Sequence, residues 1–203
     1  VLRSDIVRTV TLPLRTLVLG GTRSGKSAFA ESLVEGRHPV RYLATGRHDP
    51  TDADWVARID AHRRRRPSQW TTVESSTNLA QALSTSVDGA TLVDDVGTWL
   101  TGALDDRQAW DLPRGTITPA SDALVQAVQH CTTPVVLVSP EVGWGVVPAT
   151  RSGRLFQDEM GSLNRKLATV CDSVVLVVAG LPLTLKTATM HAPGTVSDTD
   201  GPS

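Results

Sequence analysis

The residues best suited to chemistry lie in the run GGTRSGKS, Gly20 to Ser27. Its pattern, G-x-x-x-x-G-K-[ST], is that of a loop that cradles phosphates. Gly20, Gly21 and Gly25 allow the chain to turn backbone N–H groups inward. Thr22, Arg23 and Ser24 sit between them and supply further N–H groups to phosphate oxygens. Lys26 is spaced to reach the β- and γ-phosphates, and Ser27 to place a hydroxyl on Mg2+. A second element is TLVDD (91–95), an apolar run that ends in two acids. Asp94 follows the apolar residues directly and is the expected carboxylate beside that metal ion. Together these residues predict a nucleoside triphosphate site.

A third stretch, RIDAHRRRRPSQW (58–70), places His62 before four consecutive arginines, Arg63, Arg64, Arg65 and Arg66. Thr51-Asp52-Ala53-Asp54 resembles a capping box, so a helix is expected over 52–65, ended by Pro67. On it Trp55, Ile59 and His62 share one face at i, i+4 and i+7. The arginines then occupy the last turn, where cations oppose the negative end of the helix dipole. Two readings stay open from the pattern alone. One is a solvated basic helix end. In the other, a neutral imidazole acts as a nucleophile toward phosphorus, with arginines binding the phosphate oxygens.

Such residues need elements to hold them. Strand-like runs occur at TLVLG (16–20), VRYLA (40–44), WTTVE (70–74), TLVDD (91–95), PVVLVS (134–139) and SVVLVVAG (173–180). Several are almost wholly apolar, as in parallel strands covered on both faces. Helical patterns alternate with them at Lys26 to Val34, Asp52 to Arg65, Thr77 to Ser84, Ala120 to His130 and Arg151 to Val170. The alternation predicts right-handed crossovers and a doubly wound α/β sheet. The phosphate loop then falls between a strand and a helix, where a helix N-terminus favours anions. The stretch from Gly102 to Pro119 is expected to be a long irregular loop.

The chain of 203 residues carries a net charge of -1 and is 4% aromatic. That balance argues against a polyanion-binding surface or a base-stacking platform, so no nucleic-acid partner is expected. No run is long and apolar enough to predict a membrane span. Cys131 and Cys171 have no metal-ligand spacing and read as reduced core thiols, which with the charged N-terminal residues points to a cytoplasmic protein. Residues 1–15 are expected to be an extension, 16–188 one domain, and 189–203 a polar, disordered tail.

Five segments in order resemble one family. They are LVLGGTRSGKSAFAESL, RYLATG, DADWVARIDAHRRRRPSQW, TLVDDVGTWLTGAL and PEVGWGVVPATRSGRLFQDEMGSLNRKLA, within Leu17 to Leu185. The family is that of the bifunctional adenosylcobinamide kinase/adenosylcobinamide-phosphate guanylyltransferases of cobalamin biosynthesis. The phosphate loop is widely shared, whereas H-x-x-x-R-P-x-x-W and EVGxGxVP are far more specific. The resemblance implies a P-loop NTPase fold with a RecA-like, mostly parallel sheet and helices on both faces. It implies phosphorylation of adenosylcobinamide by ATP or GTP, with Mg2+. Transfer of GMP from GTP through a guanylylated histidine, matching His62, to adenosylcobinamide phosphate would follow.

By the same matching Ala44, Thr45 and Gly46 lie near the nucleotide, Arg63 to Arg66 border the guanylate site, and Glu74 and Asp94 are nucleotide-site acids. A homo-oligomer, a trimer, is implied too. The chain departs from the family at Ala61, where a second histidine sometimes stands, and at Asp95, where Cys or Ser is usual. It departs also at Gly102 and Pro140, where Asn is usual. In the EVGWGVVP loop Trp144 reads either as a core anchor or as a corrinoid contact. A P-loop kinase without guanylyl transfer, or a RecA-like nucleic-acid-stimulated ATPase, are the alternative functions.

Overall fold

The computed structural model describes residues 12–47, 66–75 and 78–187. They form a seven-stranded sheet in the order β3-β2-β4-β5-β1-β6-β7. The strands are β1 (Arg15–Gly20), β2 (Val40–Ala44), β3 (Thr71–Glu74), β4 (Ala90–Asp94), β5 (Val135–Pro140), β6 (Ser173–Val178) and β7 (Leu181–Lys186). The first six pair in parallel, and β7 runs antiparallel to β6. Five described α-helices connect them: α1 (Lys26–Val34), α2 (Leu79–Ser84), α3 (Val96–Asp106), α4 (Thr118–Gln129) and α5 (Arg151–Val170). This is the expected α/β fold.

Successive strand residues point to opposite faces, so an apolar strand feeds two cores at once. In β1, Leu17 and Leu19 join a cluster with Trp99, Leu100 and Leu104 of α3, Leu124 and Val128 of α4, and Leu163 and Leu167 of α5. Val18, between them, packs on the other face with Ala30 and Val34 of α1, Tyr42 of β2 and Val138 of β5. Each such leucine or valine contributes roughly 1.5–3 kcal/mol relative to exposure. Register is therefore strongly specified, since a slip of one residue would exchange the two faces.

Several boundaries differ from expectation for identifiable reasons. Most of the expected irregular stretch 102–119 is structured. Residues up to Asp106 continue α3, Ala109–Asp111 form a 3-10 turn, and α4 starts at Thr118. Glycine at 97 and 102 lowers helix propensity, which hides α3 in the sequence. Its start is fixed by Asp95, whose carboxylate caps the helix by accepting from Thr98 N–H at 2.8 Å. Pro119 lies in the first turn of α4, where a missing N–H costs nothing. The strand expected over 173–180 stops at Val178. Ala179 (φ 52°) and Gly180 (φ 80°) form a hairpin turn into β7, which sequence reading did not identify. β1 begins at Arg15, inside the expected extension, and Leu12 is already buried. The expected helix over 52–65 and the expected tail lie outside the described residues.

One polar clamp ties β1 to β6. Arg15 donates through Nε to Asp172 Oδ2 at 3.1 Å and through NH2 to Asp172 Oδ1 at 2.9 Å. Its backbone N–H also donates to Asp172, and its third guanidinium contact reaches the carbonyl of Gln129 at the end of α4. The hydrogen bonds from Arg15 hold Asp172 below the usual carboxylate range. A depressed carboxylate stabilises the fold above its unfolded pKa, near about 3.9, and the benefit is lost as pH falls through the folded value. We therefore expect Asp172→Asn to cost about 1–2 kcal/mol at neutral pH by urea titration. The gap from wild type should close on acidification below the ordinary carboxylate pKa; a gap independent of pH would show that the charge is not what stabilises.

Candidate active site

The phosphate loop leaves β1 at Gly20 and enters α1 at Lys26. Glycine is required at its first position by space. A Cβ on Gly20 would stand 2.4 Å from Ser24 Oγ and 2.8 Å from the Val177 carbonyl oxygen. At the last position conformation decides, because Gly25 has φ 92°. Gly25 is the N-cap of α1 and no side chain caps the helix, the arrangement in which helix N–H groups serve an anion. Thr22 and Arg23 are exposed, Gly21 and Ser24 half-buried. Lys26 is buried, its ammonium 3.4 Å from the Gly21 carbonyl, so its stem arches over the loop.

The loop is also held from outside. The Gly180 N–H, in the β6–β7 turn, donates to the Ser24 carbonyl at 2.8 Å, and the Gly180 Cα lies 3.3 Å from where a Gly25 Cβ would be. Just after β5, the Glu141 N–H donates to the Gly20 carbonyl at 3.0 Å. Sequence reading missed both contacts. Gly180 was the available signal for the first.

Asp94 ends β4, and the structure brings it to Ser27: Ser27 Oγ donates to Asp94 Oδ1 at 3.2 Å. The other oxygen, Oδ2, accepts from the Tyr42 hydroxyl at 2.7 Å. A hydroxyl beside a carboxylate is a hard-oxygen donor set of the kind that suits Mg2+, which keeps waters and phosphate oxygens as its remaining ligands. Asp95 turns away to cap α3. Burial, reinforced by the charge of Asp94, raises its pKa, while the Thr98 hydrogen bonds and Lys26 oppose that shift. Thr45 is buried and binds the junction, its hydroxyl donating to the Asp95 carbonyl at 2.6 Å.

Strand register collects the remaining acid. Ala44 lies opposite Asp94 on one side and Glu74 on the other, so Glu74, Ala44 and Asp94 form a row at the C-terminal edge of the sheet. Gly46 is half-buried just beyond it. Arg66 is seated over the Tyr42 ring, its guanidinium carbon 3.5 Å from the ring centroid, and donates to Thr72 Oγ1 at 3.4 Å. His62, Arg63, Arg64 and Arg65 lie outside the described residues.

The loop 141–150 is pinned at its base. Asn164, buried on α5, donates to the Pro140 carbonyl at 3.0 Å and to Glu141 Oε1 at 3.1 Å, and accepts from the Ser139 hydroxyl. The Pro140 ring occupies the space beside Gly97, where a Cβ would be 2.5 Å from Cγ. Trp144, 74% exposed, is not a core anchor; Val146 and Val147 beside it are exposed as well.

A glycine loop between strand and helix, a buried lysine, and a hydroxyl–carboxylate pair at the edge of a parallel sheet define a P-loop nucleotide-binding protein. Structural comparison agrees on the fold. The chain is similar to a prototypical ATPase of a bacterial type III secretion system, with TM-score 0.54 and 11% identity over 85% of this chain and 57% of that one. It is also similar to the assembled ATPase EscN of enteropathogenic E. coli, with TM-score 0.52 and 10% identity over 81% and 43%. Sequence comparison is more specific. The family model for cobinamide kinase / cobinamide phosphate guanyltransferase matches residues 16–185. The bifunctional adenosylcobalamin biosynthesis protein CobP of Pseudomonas aeruginosa is 39% identical over 178 residues, covering 85% of this chain and 98% of the relative. The corresponding CobU proteins of Escherichia coli and Salmonella typhimurium are each 37% identical over 180 residues, covering 84% and 98%. The chain belongs to the cobinamide kinase / cobinamide phosphate guanyltransferase family, a family of bifunctional transferases.

Because the Gly20 clash involves a backbone carbonyl, repacking of side chains alone cannot relieve it. Gly20→Ala should destabilise the fold by about 1–3 kcal/mol and weaken ATP binding at least tenfold. Thermal melting and titration calorimetry check both. Wild-type affinity in this variant would show that the loop tolerates a shift of β1 against β6.

Proposed function

We propose that this chain performs both reactions of its family at the edge of the sheet around Gly20 to Ser27. The observation that carries the reading is the meeting of Ser27 and Asp94 at 3.2 Å beneath the glycine loop. In the first reaction the alcohol oxygen of adenosylcobinamide attacks the γ-phosphorus of ATP or GTP. The bond to the β-phosphate oxygen breaks and the alcohol proton passes to solvent. Gly20 to Gly25 bind the triphosphate through backbone N–H groups, and Lys26 neutralises charge on the transferred group. Ser27 and Asp94 would hold the Mg2+ of the nucleotide, which when bound neutralises phosphate oxygens. Ala44, Thr45, Gly46 and Glu74 border the same nucleotide.

In the second reaction a ring nitrogen of His62 attacks the α-phosphorus of GTP and pyrophosphate leaves. A phosphate oxygen of adenosylcobinamide phosphate then displaces the imidazole from that phosphorus, giving adenosyl-GDP-cobinamide. Arg63 to Arg66 stabilise the oxygens of the guanylyl group. Support for His62 comes from the H-x-x-x-R-P-x-x-W pattern and from the place of Arg66, one side chain away from Asp94 through Tyr42. Four peptide units reach at most about 14 Å, so chain length tethers His62 to that neighbourhood. ATP, GTP and the two corrinoids are the proposed ligands, with no nucleic-acid partner.

The cytoplasm, where these nucleotides and free thiols such as Cys131 and Cys171 occur, is the proposed compartment. No helix among the described residues is long and apolar enough to cross a membrane.

Incubation with α-labelled GTP should leave an acid-labile, base-stable label on the protein, the behaviour of a phosphoramidate. His62→Ala should abolish it while retaining γ-phosphoryl transfer to adenosylcobinamide. A protein that transfers phosphate yet never gains GMP is instead a P-loop kinase without guanylyl transfer.

A homo-oligomer, a trimer, is proposed as the working unit. It is supported by the edge strand β7, whose Leu181, Leu183 and Leu185 are 73%, 57% and 56% exposed. An uncovered apolar edge invites pairing with another chain. Light scattering should give three times the 21.6 kDa chain mass; a monomer at micromolar concentration would refute it.

A further inference from the structure

Tyr42 is a buried tyrosine whose hydroxyl and ring face both lead to the proposed site. It is 1% exposed and lies on the face of the sheet shared with α1. Its hydroxyl donates to Asp94 Oδ2 at 2.7 Å. Its ring lies beside Trp70, centroids 6.3 Å apart, and carries the Arg66 guanidinium at 3.5 Å. Nothing in the packing of a strand requires this. A phenylalanine would fill the same volume and keep both ring contacts.

A carboxylate at the end of a strand can rotate about two side-chain bonds, and only one orientation serves a metal ion. A hydrogen bond to its second oxygen removes that freedom, as outer partners of metal ligands generally do. In Asp94, Oδ2 takes the tyrosine proton and Oδ1 faces Ser27. An ionised carboxylate only accepts, so in this pair the phenolic hydroxyl is the donor. The Arg66 cation over the ring face adds an attraction that fixes the ring in turn.

We infer that Tyr42 is a positioning residue that orients Asp94 toward Ser27, and that Arg66 locks it in place from the histidine-bearing segment. The inference rests on the proposed reading of Ser27 and Asp94 as the metal-holding pair. It makes one side chain common to the metal side and the arginine side of the site. Tyr42 touches no reacting atom itself.

The test uses the full chain and a non-hydrolysable ATP analogue, titrated by calorimetry once with Mg2+ and once with EDTA. Tyr42→Phe should weaken binding about tenfold with Mg2+ and leave binding in EDTA within about twofold of wild type. Asp94→Asn should show the same pattern, and Tyr42→Phe added to it should cost nothing more. Equal weakening in both conditions, including loss of all binding, would make the hydroxyl merely structural and overturn the inference. So would additive effects with Asp94→Asn, or no effect at all. A wild-type protein that binds Mg2+-dependently but transfers neither phosphate nor GMP would overturn the proposed function and leave this inference standing.

Discussion

The hydroxyl–carboxylate contact of Ser27 and Asp94 depends on the staggered register of three strands. Leu17, Leu137 and Val93 lie in one row across β1, β5 and β4. From that row β4 continues one residue, to Asp94, whereas β1 continues to Gly20 before its loop turns back. Ser27 meets Asp94 because the returning helix α1 descends over the intervening strand. A one-residue slip of β4 would send the Asp94 side chain to the opposite face and dissolve the contact. The apolar rows that prevent such a slip are therefore as necessary to the site as the polar atoms.

Adjacent acids at one strand end would repel if both faced the nucleotide. The fold separates their tasks. Asp94 stays on Ser27 and Tyr42, while Asp95 folds onto the N-terminus of α3 and accepts from Thr98. Burial and Asp94 both disfavour its charge, and the cap partly restores it. This gives a physical account of the departure at Asp95. Of the two residues that the family resemblance makes usual there, cysteine and serine, serine is like aspartate a good N-cap, so the helix start survives that exchange. At Pro140 the family's amide is lost, but the carbonyl still accepts from Asn164 and the ring fills the space that Gly97 leaves.

Local chemistry was readable in the sequence where one segment carries it whole. The glycine loop with α1, the long amphipathic α5 and the apolar strands all have their cause within a few neighbouring residues. The β7 strand was not legible because LPLTLK lies at an edge, carries Pro182, and owes its conformation to pairing with β6. Helix α3 was hidden by Gly102 and by Gly97, the latter explained only by the Pro140 ring beside it, distant in sequence. Tyr42 looked like one more strand residue in VRYLA. Its partners come from two other segments, Asp94 from β4 and Arg66 with Trp70 from the end of the basic run, and no periodicity announces such a meeting.

Arg66 sharpens the same point. Charge counting alone puts all four arginines on phosphates or in solvent. In the structure Arg66 instead covers an aromatic ring and reaches Thr72, so its described contacts are with the protein itself. A guanidinium over a ring keeps its in-plane N–H groups available at the rim, so docking on Tyr42 and binding an anion are compatible. Lysine could offer the charge but not the planar stacking. The residue that ends the basic run thus differs in kind from a solvated cation: it is seated on the sheet at the strand next to Asp94.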